Sequence, residues 1–362
     1  MKKLFSSIFV FVLSVCVFAG CSCTPTILNS FSPYWNAGKA YSSSFKEVAV
    51  YDVKQVTNFN EVVQKEDNMK YTYDFTANEN DFYSVEYTNG TYTVTSEAIS
   101  VNHEKAQISS EQSQYYRITS NLNIHVKYTH KATNTVTYEG DESIKSEVYF
   151  LSESANLSPT YSLKTYSSST FNGDIVFLYN YQTEVVWGEK KVEFTIKNLW
   201  ENKVSENEKL VYSNVTDKTY SQKYTKGAAL DNEQLLFALR GAKLSDAYQG
   251  QFKVYDTAYA SLQSIAIKGL AIVNLTTPWT YTLNGEEVRS AETTTPTSTL
   301  MISYINANTT YSGSAKLCYY QQVNYDNQGA NEKGFVVKMV DKLTNSLGAL
   351  EYNLKSLNFT SN

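Results

Sequence analysis

Apolar and polar residues alternate along most of the chain after Phe45, and the clearest run is Tyr115 to Thr129. Its apolar positions share one face: Tyr116, Ile118, Leu122, Ile124, Val126 and Tyr128. Ser120 interrupts this face, while polar residues occupy the other. A period of two predicts a strand with one buried and one solvated face, which is typical of antiparallel sheets.

The same alternation predicts further strands at Ile144 to Leu151, Ile175 to Trp187, Val192 to Ile196 and Leu350 to Leu354. Gly188-Glu189 is then predicted to be the turn of a hairpin between Ile175 to Trp187 and Val192 to Ile196.

Asn89-Gly90 lies between two more alternating segments, Phe82 to Tyr87 and Thr91 to Ile99. An Asn-Gly pair supplies the positive φ angles of a tight turn, so the sequence predicts a hairpin there.

One segment favours a helix. Asp231 precedes Gln234 by the spacing of a capping box, apolar Leu235, Leu236 and Leu239 follow, and Gly241 provides a stop. We therefore predict about two turns of helix near residues 231–240. A weaker helical pattern covers Asn58 to Asn68, and Ala291 to Thr299, rich in Thr, is predicted to be a loop.

These patterns predict a mainly β protein with a large, antiparallel and strongly curved sheet, in the form of an open half-barrel. The alternative is two stacked β units that divide near residues 160–230, because a chain of 362 residues exceeds the size at which single cores usually stop growing.

The N-terminus has the features of an export signal. Lys2 and Lys3 precede an apolar run from Leu4 to Phe18, and the small residues Ala19 and Gly20 follow. The run is shorter than the roughly 20 residues that a permanent membrane-spanning helix needs. We expect residues 1–20 to be a signal peptide and the mature chain to have no transmembrane helix.

Val17-Phe18-Ala19-Gly20-Cys21 resembles the bacterial lipobox. The resemblance implies that the Cys21 thiol receives diacylglycerol, that cleavage precedes Cys21, and that fatty acyl chains such as palmitate anchor the protein to a membrane of the bacterial cell envelope. Residues 21–44 would form a tether and residues 45–362 the β-rich domain. The alternative is an ordinary secretory signal followed by an incidental cysteine.

Charge weighs against a nucleic-acid partner, because phosphate backbones attract clustered lysine and arginine. The chain has 31 basic and 36 acidic residues, a net charge of −5. Removing residues 1–20 takes away Lys2 and Lys3 and no acidic residue, so the mature count is 29 basic against 36 acidic, or −7.

The sequence offers little for catalysis or metal binding. Cys23 and Cys318 remain after processing, and Cys318 fits a buried apolar position better than a disulfide with Cys23. His103, His125 and His130 lack metal-ligand spacing. Asp141-Glu142 and Asp256 could serve as paired carboxylates, but a charge pair at a turn is usually solvated. We expect no enzyme activity, catalytic residue, metal or cofactor, and the residues identify no ligand-binding position.

Two C-terminal segments carry a second resemblance. Leu230 to Arg240, followed by a polar loop with Gly and a strand, and Leu347 to Ser356 look like a family of exported bacterial proteins of unknown function. That family's fold is similar to the open β half-barrels of periplasmic lipoprotein carriers. The resemblance implies a curved sheet with a groove for a hydrophobic or lipid-like ligand.

Three functional hypotheses follow. The first is binding of a lipid in the groove. The second is surface recognition of a glycan or protein through Tyr34, Trp35, Trp187 and Trp279, with packing as the plainer role for each. The third is a structural envelope protein without a small ligand. The 30 tyrosines are mainly a sign of sheet packing.

The lipobox resemblance predicts the behaviour of a Cys21→Ala variant. Because the thiol is the group that forms the thioether, the variant should incorporate no labelled palmitate and should leave the membrane fraction. Metabolic labelling with fractionation measures both, and labelling equal to that of the wild type would exclude lipidation at Cys21.

Overall fold

A computed structural model describes residues 44–64, 70–78, 80–111, 114–152, 157–200, 207–238, 249–256, 261–275, 279–289, 295–306, 309–324 and 332–360. The first strands are β1 (Lys46–Val56), β2 (Asn60–Gln64), β3 (Lys70–Asp74), β4 (Tyr83–Ile99), β5 (Gln114–His130), β6 (Thr135–Ser152), β7 (Leu157–Asn172), β8 (Ile175–Trp187), β9 (Lys191–Asn198) and β10 (Leu210–Ser213). The later strands are β11 (Lys218–Lys223), β12 (Leu230–Asp231), β13 (Gln249–Asp256), β14 (Ser261–Leu275), β15 (Thr280–Leu283), β16 (Glu286–Arg289), β17 (Thr295–Asn306), β18 (Thr309–Asn324), β19 (Glu332–Lys342) and β20 (Ala349–Thr360).

Helical structure among the described residues is short. A 3₁₀ turn at Asn232–Gln234 leads directly into α1 (Leu235–Ala238), and a second 3₁₀ turn covers Thr344–Ser346. The first turn and α1 together, residues 232–238, are called the inner helix below. The sequence prediction of a helix near 231–240 is confirmed as far as residue 238, and Leu239, Arg240 and Gly241 lie outside the described residues.

The sheet is built mainly from antiparallel neighbours, which are arranged in two runs. Strands β4 to β9 lie side by side in chain order, and β1 joins β4 to β20. From β20 the order continues through β19, β18, β17, β14 and β13. Strand β11 extends the sheet beyond β9, and β12 extends it beyond β13. Strands β2 and β3 form a separate pair.

The fold class is confirmed as mainly β with one large sheet. Across the described strands, backbone pairing does not close the sheet, which is consistent with an open half-barrel. The sheet is mixed, because β8 with β10, β12 with β13, and β15 with β20 pair in parallel. A division of the chain near residues 160–230 stays a prediction.

The alternating pattern of β5 is confirmed by burial. Tyr116, Ile118, Val126 and Tyr128 are buried on one face, and Ser120 is buried among them. Neighbouring strands carry the same face inward, and the inner helix packs against it. The ring of Phe237 lies 6.3 Å from that of Tyr116 and 5.4 Å from that of Phe150. The inner helix therefore fills the hollow that a curved sheet would otherwise leave open.

The chain does not form a hairpin at Asn89-Gly90, so the sequence prediction is wrong at this point. Both residues lie inside the continuous strand β4, and the register with β5 shifts between Thr88 and Thr91. Asn89 does take the positive φ of 52° that the pair favours. The positive φ belongs to a β-bulge, which changes the positions that face inward. Tyr87 faces inward before the bulge, and Tyr92 faces inward after it.

Two other local predictions are wrong. The segment Asn58 to Asn68 contains strand β2 rather than a helix, and residues 65–69 lie outside the described residues. The predicted loop Ala291 to Thr299 enters strand β17 at Thr295, while residues 291–294 lie outside the described residues. In both cases pairing with another strand overrides a weak local preference. The hairpin at Gly188-Glu189 joins β8 to β9 as predicted.

A search of the described residues finds no helix long and apolar enough to cross a membrane.

The bulge generates a prediction about Gly90. A Cβ at this position would lie 2.5 Å from the backbone oxygen of Val53 on β1, so an alanine would push two paired strands apart. We expect Gly90→Ala to lower the free energy of unfolding by about 2–3 kcal/mol. Gly173→Ala is the matched control, since Gly173 has a positive φ of 59° and no atom near the added Cβ. It should cost about 1 kcal/mol. Urea denaturation measures both, and equal losses would contradict the close approach at Gly90.

Candidate functional site

The inner helix begins with a complete capping box at Asp231. Oδ1 of Asp231 accepts a hydrogen bond from the backbone N–H of Glu233 at 2.9 Å. The Gln234 side chain accepts one from the backbone N–H of Asp231 at 3.4 Å. The hydroxyl of Ser162 on β7 donates a hydrogen bond to Oδ2 of Asp231 at 2.8 Å. The cap therefore fixes the helix start and also ties it to the sheet.

A second attachment is an ion pair between Lys164 on β7 and Glu233 in the first turn. Both side chains are largely shielded from solvent, with exposed fractions of 13% and 19%. The hydroxyls of Ser120 and Ser146 reach the other carboxylate oxygen at 3.4 and 3.5 Å, and they bond to each other at 2.6 Å. The inner face thus carries a polar cluster, which we define as Ser120, Ser146, Lys164 and Glu233.

Electrostatics keeps the ion pair charged. Burial raises the pKa of Glu233, but the Lys164 ammonium, together with Lys316 and the Ser120 hydroxyl, more than offsets this rise, so the pKa lies below its usual value. Burial likewise lowers the pKa of Lys164, and Glu233 reverses this to leave the pKa well above its usual value. A pair that stays ionised in a shielded place holds the helix firmly, since loss of either partner leaves a buried charge.

Asp231 behaves differently from Glu233. Burial raises the pKa of its carboxyl from 3.8 to about 6, with hydrogen bonds from Glu233 and Ser162 opposing part of the rise. The charge of Glu233 adds to the increase. The cap residue therefore changes its protonation state near neutral pH, while the ion pair beside it does not.

A cavity of about 30 Å³ lies between the inner helix and the sheet. Leu236, Phe237 and Glu233 form its helix side. Its sheet side is mostly aromatic and aliphatic, with Tyr51, Tyr92, Val94, Phe335, Met339 and Tyr352 among its residues. This space suits about one water molecule. The inner helix therefore occupies most of the apolar hollow itself.

The predicted lipidation residue and two of the aromatic candidates lie outside the part of the chain that the structure describes. Cys21, Cys23, Tyr34 and Trp35 all lie outside the described residues. Cys318, in contrast, is fully buried in β18, and burial raises the pKa of its thiol to about 12. It takes the apolar packing position that the sequence favoured.

The two remaining tryptophans are packing residues. Trp187 and Trp279 both have an exposed fraction of 0%. The ring of Trp187 lies 5.1 Å from Tyr224 and 5.7 Å from Tyr255. Neither tryptophan is available for recognition at the surface. Large apolar side chains that are exposed among the described residues, such as Val62, Val101 and Tyr220, lie on separate strands and loops.

The histidines point in different directions. His125 faces outward between Asp141 at 2.8 Å and Glu139 at 3.2 Å, whereas His130 on the same strand is buried. His103 stacks on Tyr161 with ring centroids 3.5 Å apart. In the part of the chain that the structure describes, no group of acidic, histidine or cysteine side chains is arranged to hold a metal ion.

Asp141-Glu142 is not a solvated pair at a turn, which is a further correction. The pair lies within strand β6, where Asp141 points to solvent and Glu142 is buried beside Ser169. Burial raises the pKa of Glu142 to about 7. Asp256 is buried as well, at the end of β13.

The sequence does not predict that Lys164 and Ser146 belong to the polar cluster. A lysine or serine in an alternating strand is expected on the solvated face, and nothing in the residue type shows that it faces inward. One signal did exist at Ser120, the polar residue that interrupts the apolar face of β5. A polar residue on a dry face needs a buried partner. Here the partners are Ser146 and Glu233.

Comparisons with known proteins add little to this geometry. No protein-family description matches the chain. No curated protein sequence matches it either. Among solved structures, the chain is similar to a β-barrel-like protein of the domain of unknown function DUF1849 from Brucella abortus. The sequences are 8% identical, the match covers 87% of this chain and 97% of that one, and the TM-score is 0.40.

The raised pKa of Asp231 predicts the pH dependence of an Asp231→Asn variant. Asparagine caps a helix as well as aspartate does, but it does not ionise. Since the folded pKa of about 6 exceeds the reference value of 3.8, the stabilising contribution of Asp231 is fully present below that reference and is lost as the pH rises through about 6. The free energy of unfolding of the variant, relative to the wild type, should therefore rise by about 2–3 kcal/mol from about pH 4 to pH 7.

Denaturation at several pH values measures this difference. The matched control is Asp81→Asn, a substitution at an exposed position. A pH trend of the same size in the control, or none in Asp231→Asn, would contradict titration of the helix cap.

Proposed function

We propose that the chain is an extracytoplasmic lipoprotein of the bacterial cell envelope that binds a hydrophobic or lipid-like ligand without catalysing a reaction. Its anchor would be the lipid on Cys21, and its ligand would lie against the inner face of the curved sheet. The lipobox resemblance supports the anchor, and the apolar cavity beneath the inner helix supports the ligand.

The cavity is the observation that carries the binding role. Five strands, β1, β4, β5, β19 and β20, direct side chains into it, and most of these are aromatic or aliphatic. Ligand pockets are typically concave and apolar, with a few polar groups that orient the ligand. Ser96 and Glu233 are polar groups of this kind at the cavity wall.

Ligand entry requires the side chains of Leu236 and Phe237 on the inner helix to move while the Lys164–Glu233 ion pair stays in place. Pockets for small molecules usually measure about 300–1,000 Å³, and the cavity measures about 30 Å³. Leu236 and Phe237 occupy the space beside it. Displacement of these two side chains would give an acyl chain access to the aromatic wall formed by Tyr51, Tyr92 and Tyr352.

The construction of the inner helix is compatible with such movement. It has seven residues, fewer than an isolated helix needs for stability in water. Its attachments to β7 are the Asp231 to Ser162 hydrogen bond and the Lys164 to Glu233 ion pair. The helix therefore depends on its contacts with the sheet, and a ligand can replace the apolar part of them.

The thiol of Cys318 lacks the surroundings of a catalytic nucleophile. A nucleophilic cysteine is partly exposed and has a lowered pKa. Cys318 is fully buried and its pKa is raised to about 12. Surface recognition of a glycan or protein stays a hypothesis that rests on Tyr34 and Trp35, and a structural role without a small ligand stays a hypothesis as well.

A cavity-filling variant tests the proposal. The full chain would be purified from membranes in mild detergent and examined by native mass spectrometry for a bound molecule. Ala49 lines the cavity and is buried, so Ala49→Leu would fill the space that the ligand needs. We expect about one lipid-like molecule per wild-type chain, and a several-fold lower occupancy in Ala49→Leu.

Ala106→Leu is the matched control, because Ala106 lies in the loop after β4 and outside the cavity lining. It carries the same anchor and adds the same volume, so it should retain the wild-type occupancy. Circular dichroism would confirm that both variants are folded. Bare protein in all samples, or equal occupancy in Ala49→Leu and the wild type, would contradict binding in the cavity.

A further inference from the structure

The two ends of the sheet approach each other through side chains. Tyr255 on β13 lies 5.7 Å from Trp187 and 5.9 Å from Phe194, measured between ring centroids. The backbone N–H of Leu262 on β14 donates to the side-chain oxygen of Gln222 on β11 at 3.2 Å. We call this region, defined by these five residues, the seam.

An open cleft of about 710 Å³ lies at the seam. One wall comes from the β8–β9 hairpin and the end of β11, and the other from β13 and β14. Its volume falls within the range of small-molecule sites. It shares no lining residue with the cavity under the inner helix.

Three lysines dominate the charge of the cleft. Lys190, Lys223 and Lys253 are all exposed and line it. No carboxylate of the described residues forms an ion pair with any of them. Glu189 is the acidic residue of the lining, and its carboxylate lies 3.8 Å from the ammonium of Lys226. The cleft is thus a positive patch on a chain whose net charge is −5.

The backbone holds two of these lysines in place. Tyr224 is buried below the cleft, and its backbone N–H donates to the carbonyl oxygen of Lys190 at 2.9 Å. Its hydroxyl accepts from the backbone N–H of Gly227 at 3.0 Å. Lys223 precedes Tyr224 and ends β11. The chain therefore brings the stems of Lys190 and Lys223 to one wall before any ligand arrives.

We propose that the cleft at the seam binds a phosphate group, with Lys190, Lys223 and Lys253 as its ammonium donors. Phosphate carries more negative charge than a single carboxylate and presents several acceptor oxygens, so it can engage several lysines at once. The exposed hydroxyl of Thr225 adds a further donor at the lining. The phosphate can belong to a lipid headgroup or to a free anion, and both place the same chemistry in the cleft.

Binding of inorganic phosphate and of short-chain lipids to the full chain in nonionic detergent tests the proposal. The probes are inorganic phosphate, dihexanoyl phosphatidylglycerol and dihexanoyl phosphatidylcholine, measured by isothermal titration calorimetry at low ionic strength. Replacing the three lysines together (Lys190→Gln, Lys223→Gln, Lys253→Gln) should weaken phosphate binding about tenfold or more. Added salt should weaken binding to the wild type as well.

A second triple variant controls for net charge. Lys46, Lys197 and Lys218 are exposed lysines outside the cleft, and none has an ion-pair partner among the described residues. Their replacement by Gln removes the same charge and should leave phosphate binding within about twofold of the wild type.

The lipid probes separate the two sources of phosphate. Competition of phosphatidylglycerol with inorganic phosphate, with little competition from phosphatidylcholine, supports an anionic headgroup. Binding of inorganic phosphate alone supports a free anion. Absence of binding to every probe, or equal loss in both triple variants, overturns the proposal. Because these residues lie outside the inner cavity, failure here is independent of the Ala49→Leu result.

Discussion

The constraint on which the fold depends is that a strongly curved sheet must fill its own hollow. The inward faces of β1, β4, β5, β19 and β20 carry large aromatic and aliphatic side chains, and the inner helix occupies the space among them. Without that helix the hollow would be either an empty apolar void or a water-filled one, and both are costly. The position of residues 232–238 therefore determines how well the centre of the molecule is packed.

The attachment of this helix uses polar groups where apolar packing would have served. A buried ion pair is a weak source of stability, because desolvation of the two charges offsets most of their attraction. Lys164 and Glu233 do, however, specify one orientation, since any other arrangement of the helix would leave a charge without its partner. Ser120 and Ser146 strengthen that selection by satisfying the second carboxylate oxygen. The main role of the polar cluster is therefore to select one position of the inner helix on the sheet, because a helix of this length has little stability of its own.

The sequence predicted the elements of this arrangement better than their combination. Alternation in β5 and the Asp231 capping box are local signals, and the structure confirms both. Asn89-Gly90 shows the limit of local signals. The predicted positive φ is found at Asn89 alone, and β1 passes so close to Gly90 that the chain continues as a bulged strand instead of turning. Glu142 is a similar case, because only strand register decides that it faces inward and Asp141 outward. The partnership of Lys164 with Glu233 spans distant parts of the chain, and no spacing in the sequence encodes it.

The seam shows why the apolar and the basic features of the molecule lie apart. A sheet whose edges paired through their backbones would leave no gap, but here the ends meet through the rings of Trp187, Phe194 and Tyr255. The rings are buried at that junction, whereas the lysines beside it are exposed to solvent. Lysines suit such a margin, because their stems cover apolar surface while the ammonium groups stay in water. Curvature of the sheet thus creates an interior that the inner helix fills, and the absence of backbone pairing between the two ends leaves room for a cleft lined by Lys190, Lys223 and Lys253. Both candidate sites therefore follow from one curved sheet whose ends meet only through side chains.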